Sequence, residues 1–112
     1  MRIVFIGCVQ FSLKILKHLL NIKDAEIVGI VTRKESSFNT DFASLGPLAT
    51  ELDIPCYYSD ETNQFEMADW VRNLRPDTIY CFGWSFLLKR DVINIPLIGV
   101  IGYHPTALPA NR

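Results

Sequence analysis

The feature that most constrains the fold is an amphipathic helical pattern between two short apolar segments. Residues 2–6 and 26–31 are apolar and rich in β-branched side chains, which is typical of strands buried on both faces. Between them, residues 11–20 carry apolar side chains at helical spacing and polar ones, including two lysines, on the opposite face. A strand, a helix and a strand of these lengths predict a βαβ unit, whose crossover is right-handed in nearly all proteins.

The same alternation continues along the rest of the chain. The predicted elements are a short helix opened by Gly46-Pro47, an edge strand at 54–57, a helix at 63–74, a strand at 78–82, a helical turn at 89–93 and a strand at 97–103. This order predicts a single α/β domain over residues 1–112, an open, mostly parallel, doubly wound Rossmann-like sheet with flanking helices. Such sheets bind ligands beyond the carboxyl ends of their strands, near the switch point. The loops at 7–11, 83–88 and 102–112 are therefore the candidate site.

Composition excludes several classes of function. The net charge is −1, and no basic cluster indicates a nucleic-acid or anionic membrane surface. The longest apolar runs are about ten residues, too short for a membrane span. Because the first residues lead directly into a strand pattern without a signal peptide, we expect a cytoplasmic protein. The three cysteines are far apart and show no C-x-x-C spacing, so we expect them to be structural.

Motifs for common cofactors are missing. The first strand-to-helix turn, Gly7 to Phe11, has neither G-x-G-x-x-G nor a phosphate-binding lysine and hydroxyl, which disfavours NAD and ATP. The two histidines are far apart and show no metal-ligand spacing, so no metal is predicted. His18 lies on the polar helix face and is expected to be solvated. His104 follows the last strand, and is either a general acid/base or a structural histidine that bonds a backbone carbonyl.

The segment around His104 adds a resemblance. Residues 102–109, Gly-Tyr-His-Pro-Thr-Ala-Leu-Pro, and the following Arg112 resemble the signature of the folate-dependent formyltransferases. That signature reads Asn-x-His, then Ser or Thr two residues on, Leu-Pro, and Arg-Gly shortly after. The opening strand and helix, residues 1–16, are similar to the same family, and weaker similarities lie in residues 48–55 and 75–84. The family includes enzymes that act on methionyl-tRNA, glycinamide ribonucleotide and nucleotide-linked amino sugars.

The resemblance implies transfer of a formyl group from 10-formyltetrahydrofolate to a primary amine. His104 would act as acid/base or donate a hydrogen bond to the developing oxyanion. The segment implied to hold the pterin consists of Phe82, Gly83, Trp84, Ser85, Phe86 and Leu87; its alternative interpretation is an ordinary apolar connection over the core. The implied substrate-binding residues are Gly7, Cys8, Gln10, Thr106 and Arg112.

Two departures from the family pattern affect the expected activity. Gly102 stands where the family has its catalytic Asn, and loss of one oxyanion donor typically costs about 10²–10³ in rate. The family also has an Asp some tens of residues after the His, whereas no Asp or Glu follows Asp91 here. We therefore expect this chain to be the N-terminal portion of a longer catalytic domain, a fragment that is inactive alone.

The acceptor is predicted from weaker signals. Tyr103 and Pro105 beside His104, and the short loop after Val31, favour a small-molecule amine, a nucleotide-linked amino sugar. Methionyl-tRNA is the alternative acceptor, with tRNA as the partner. A homodimer of the full-length protein is left open. Because Gly102 removes a donor, a function of another class is also considered, a non-catalytic module that binds folate or a nucleotide sugar.

Overall fold

The computed structural model describes residues 1–35, 40–84 and 88–103. Within these ranges the chain forms five strands, four α-helices and one 3₁₀ turn. The strands are β1 (Arg2–Ile6), β2 (Glu26–Thr32), β3 (Cys56–Tyr58), β4 (Thr78–Phe82) and β5 (Gly99–Tyr103). The helices are α1 (Gln10–Leu19), α2 (Gly46–Glu51), α3 (Gln64–Asn73) and α4 (Arg90–Ile93), and the 3₁₀ turn is Glu61–Asn63.

All five strands are parallel and lie in the order β3-β2-β1-β4-β5. The chain builds the sheet outward from β1 to β3 and then returns to the other side of β1 with β4 and β5. Because the direction of winding reverses between β1 and β4, their carboxyl ends form the switch point of the sheet. The prediction of an open, parallel, doubly wound α/β sheet is confirmed.

Helices cover both faces of the sheet, and each face has its own apolar core. Side chains alternate along β1, so Ile3 and Phe5 belong to one core while Val4 and Ile6 belong to the other. The core under α1 and α2 also contains Leu16, Leu19, Ile27, Ile30, Leu45 and Ala49. The core under α3 and α4 also contains Cys8, Val28, Val31, Met67, Ala68, Val71, Ile79, Cys81, Trp84 and Val92.

The predicted elements are present, with some ends shifted. α1 begins at Gln10 rather than Phe11, and β5 begins at Gly99 rather than Leu97. The last strand pairs with β4 from Thr78 opposite Gly99 onward, and Leu97 is 85% exposed. The apolar run predicted as a strand from residue 97 therefore includes Leu97 and Ile98, which precede the first residue paired with β4.

The predicted edge strand is confirmed as β3, and an aromatic side chain of α3 packs beside it. The rings of Trp70 and Tyr57 lie 5.5 Å apart. Gly29 on β2 makes room for this contact, because a Cβ there would lie 3.0 Å from the Trp70 ring. None of the helices in the described part of the chain has the length and apolar character that a bilayer crossing requires.

The pairing of β5 with β4 leaves no room for a side chain at one residue. Gly102 pairs with Cys81, and a Cβ at position 102 would lie 2.6 Å from the Cys81 carbonyl oxygen. Since that oxygen belongs to the backbone of a neighbouring strand, it cannot rotate away as a side chain could. The glycine is therefore required by the spacing of the two strands.

We expect Gly102→Ala to lower the free energy of unfolding by about 1–3 kcal/mol, because overpacking forces β5 away from β4. Thermal and urea unfolding measure the change. Ile101→Val on the same strand is the control, since Ile101 is 47% exposed and its variant should stay within about 0.5 kcal/mol of wild type. An unchanged stability for Gly102→Ala would contradict the close approach.

The thiol of Cys81 is buried in the α3–α4 core with that of Cys8. Burial, and secondarily the neighbouring Cys8 thiol, raise the pKa of Cys81 to about 12. The native protein therefore holds this proton where the unfolded chain, with an ordinary thiol pKa of 9.0, has lost it.

Stability from this group is present below pH 9.0 and is lost as the pH rises toward about 12. We expect a loss of about 1.4 kcal/mol per pH unit in that window, in addition to other titrating groups. Urea unfolding of wild type and Cys81→Ala at neutral and alkaline pH isolates the contribution, which the variant lacks. The half-buried Cys56 provides the control: Cys56→Ala should keep most of the wild-type pH dependence. Parallel pH profiles for wild type and Cys81→Ala would refute this assignment.

Candidate functional site

Two loops meet at the switch point, one after β1 and one after β4. The Cys8 N–H donates to the Gly83 carbonyl oxygen over 3.0 Å. The Gly7 N–H donates to the carbonyl oxygen of Val31, near the end of β2, also over 3.0 Å. These bonds hold the carboxyl ends of three neighbouring strands in register, and the candidate site is built on that edge.

The glycines of the two loops are required by close approach. A Cβ at Gly7 would lie 2.6 Å from the Ser12 side chain and closer still to the carbonyl oxygen of Phe82. Gly83 has a φ of 70°, and its Cβ would overlap the side chains of Val9 and Ser12. A larger residue at either position would separate the loops, so each glycine has a structural reason independent of any ligand.

Ser12 joins the two loops and was not identified as a site residue from the sequence. Its hydroxyl accepts a hydrogen bond from the Val9 N–H over 3.2 Å and donates one to the Phe82 carbonyl oxygen. The side chain is fully buried. In sequence it is only a hydroxyl in the first turn of a helix, a position that usually indicates capping. The structure shows that the same hydroxyl also binds the start of α1 to the end of β4.

Aromatic side chains form one wall beside the switch point. The Phe82 ring is half-buried, and its centroid lies 6.2 Å from those of Phe5 and Phe11 and 6.1 Å from that of Tyr80. Phe11, at the start of α1, is 47% exposed. This group therefore presents an apolar, partly open surface on the α1 side of the sheet.

Trp84 and Cys8 lie on the opposite side from Phe82. Trp84 is 8% exposed and packs in the core under α3 and α4. Cys8 is buried, and its thiol donates to the Gly83 carbonyl oxygen over 3.3 Å. The predicted folate-binding Phe82 and Trp84 thus send their side chains into different layers, with Gly83 between them.

Gln10 and Gly102 occupy the two flanks of this edge. Gln10 is the exposed first residue of α1, and its N–H donates to the carbonyl oxygen of Asp41 over 3.0 Å. Gly102 lies beside Cys81 near the end of β5. The structure thus brings Gly7, Cys8, Gln10, Phe82, Gly83, Trp84 and Gly102 to the carboxyl edge of one sheet.

The remaining predicted site residues lie outside the described residues. They are His104, Thr106 and Arg112 after β5, and Ser85, Phe86 and Leu87 after β4. Their roles stay predictions from the sequence. Among the residues that are described, no group of three or more His, Cys, Asp or Glu could hold a metal ion.

Comparison with known proteins gives a consistent set of relatives. The chain is 29% identical over 117 residues to a methionyl-tRNA formyltransferase of Thermotoga maritima, covering all of this chain and 37% of that protein. Enzymes of the same name from Ehrlichia ruminantium and Clostridioides difficile are 29% and 28% identical over 116 residues, again covering all of this chain. The chain spans 37–38% of the length of these relatives. No family model matches it.

A solved structure has the same fold. The crystal structure of glycinamide ribonucleotide transformylase 1 from Symbiobacterium toebii aligns with a TM-score of 0.71 over 98% of this chain and 54% of that chain, at 12% identity. Similarity along the whole sequence, together with the parallel sheet and its switch point, relates this chain to the formyltransferase family and fits the N-terminal domain of its members, as the resemblance around His104 predicted.

Proposed function

We propose that the protein carrying this chain transfers a formyl group from 10-formyltetrahydrofolate to a primary amine. The observation that carries the proposal is the 29% identity, along the whole chain, to a methionyl-tRNA formyltransferase. It is supported by the loops after β1 and β4, which come from separate parts of the sequence and are joined at the switch point by the hydrogen bond from Cys8 to Gly83.

The acceptor that we propose is methionyl-tRNA. The sequence analysis preferred a nucleotide-linked amino sugar, from Tyr103, Pro105 and a short loop. The three sequence relatives described above are named for methionyl-tRNA, which favours the alternative. The net charge of −1 is compatible with it, because the chain spans 37% of the Thermotoga maritima relative and RNA contacts can lie elsewhere.

The aromatic wall fits the donor that the family resemblance implies. A flat heteroaromatic ring is bound best in an apolar cleft with a few placed polar groups. The half-buried Phe82 offers such a surface at the end of β4, next to Gly83. These residues and the following 84–87 segment would hold the pterin, and the bound folate would supply the activated formyl group.

The proposed chemistry depends on His104, which follows β5 in the sequence. A primary amine that attacks the formyl carbon must lose a proton, while the bond from that carbon to the folate nitrogen breaks. His104 would accept the proton and return it to the leaving nitrogen. Gly102 has no side chain with which to stabilise the negative charge that develops on the formyl oxygen. Other donors must therefore provide that stabilisation, and we expect a turnover below that of an enzyme with the family's Asn.

We expect His104→Ala in the full-length protein to reduce kcat/KM for formylation of methionyl-tRNA by about 10²–10⁴, with unchanged thermal stability. Asn94→Ala is the control, since Asn94 is exposed at the end of α4 and bonds through its backbone to Arg90. Equal activity of the two variants would remove His104 from the mechanism.

A second assay separates the acceptors and the non-catalytic alternative. Wild-type protein is given 10-formyltetrahydrofolate with methionyl-tRNA, or with a dTDP-linked amino sugar. Formylation of the sugar alone would overturn the acceptor that we propose. Calorimetric binding of a stable folate analogue without turnover on either amine would favour the binding module, for which Gly102 is the supporting observation.

A further inference from the structure

The outer face of α1 and the turn after it carry polar side chains that the proposed chemistry does not use. They are Lys14, Lys17, His18 and Asn21, all exposed, and they line a shallow recess of about 200 Å³. α1 contains no Asp or Glu. The ion pair found within the described ranges joins Arg72 and Asp69, so neither lysine forms a salt bridge there.

This face leads to the switch point. Gln10 lies one helical turn before Lys14 on the same side of α1. At a rise of 1.5 Å per residue, the helical part of the face runs about 12 Å from Gln10 to His18, and Asn21 follows in the turn after α1. One end is therefore at the carboxyl edge of the sheet, beside the candidate site, and the other end lies near the opposite edge. We call these five residues the α1 polar face.

We propose that the α1 polar face binds the phosphate backbone of the acceptor RNA, whose aminoacyl end enters the site at the switch point. This inference rests on the proposed function and identifies which part of the chain contacts the tRNA. Lysine ammonium groups on flexible stems neutralise phosphates without reading sequence, and histidine and amide groups add hydrogen-bond donors.

The length of the face favours RNA over a small phosphorylated ligand. A nucleotide sugar bound at the switch point would reach one end of it, near Gln10, and would leave Lys17 and Asn21 without a role. A polyanion extends along the helix and can contact several of these side chains together. Lys14 and Lys17 have no acidic residue beside them on α1, whereas the whole chain has a net charge of −1.

The test is the double variant Lys14→Gln/Lys17→Gln in the full-length protein, with methionyl-tRNA as the probe. Two lost phosphate contacts should reduce the slope of log Kobs against log salt by about 1.4–1.8. At physiological salt we expect roughly tenfold weaker tRNA binding and a similar rise in KM. The kcat value should not change, because neither lysine touches the reacting atoms.

The matched control is Arg72→Gln/Arg90→Gln, which removes the same charge. Both arginines are exposed and line a groove between α3 and α4, which cover the sheet face opposite α1. This control should keep the wild-type salt slope. If both double variants have wild-type slopes, or both lose slope equally, the α1 polar face is not the RNA contact.

The outcomes separate this inference from the proposed function. If wild-type protein formylates methionyl-tRNA and the lysine variant binds it normally, only the further inference fails. If wild-type protein binds tRNA through these lysines without formylating it, only the proposed function fails. If it neither binds nor formylates tRNA, both are overturned. Melting temperatures of all variants show whether folding is intact.

Discussion

The hydrogen bond from the Cys8 N–H to the Gly83 carbonyl oxygen is the constraint on which the site depends. It joins the loop after β1 to the loop after β4, although 75 residues separate them in the chain. Parallel pairing of β1 with β4 brings the strand ends together, and the loops can then approach only because Gly7 and Gly83 lack side chains. Ser12 closes the arrangement with a buried hydroxyl that bonds both loops.

The loop that this hydrogen bond holds has side chains on both faces of the sheet. Phe82 belongs to the α1 layer, and Trp84 belongs to the α3 layer. The backbone between them turns at Gly83, where φ is 70°. The chain can therefore place an aromatic side chain on each side of one loop. A ligand at this edge would be contacted by backbone groups and by the half-buried ring, while Trp84 anchors the loop in the core.

The fold was largely predictable from the sequence, because buried parallel strands and amphipathic helices have different and recognisable periods. The switch point followed from the order of elements. The contacts that complete it were not predictable, since they join residues distant in sequence. Arg2 shows this well: it reads as an ordinary strand residue, yet its guanidinium donates to the carbonyl oxygens of Leu74 and Arg75 at the end of α3. The acceptor preference from the sequence has less support than its alternative, because single residues beside His104 carry little information about the identity of the substrate.

Gly102 connects the packing of the sheet to the proposed chemistry. The family signature has Asn at this position. Here β5 lies so close to β4 that a Cβ at position 102 would be 2.6 Å from the Cys81 carbonyl oxygen. An amide at position 102 would therefore require β5 to move, together with the strand end that leads to His104. The single substitution Gly102→Asn would therefore disturb the pairing of β5 with β4 that positions the proposed site. In the proposed reaction, stabilisation of the oxyanion must then come from groups other than the side chain at position 102, such as backbone N–H groups of neighbouring loops, which can donate without occupying the space that the two strands share.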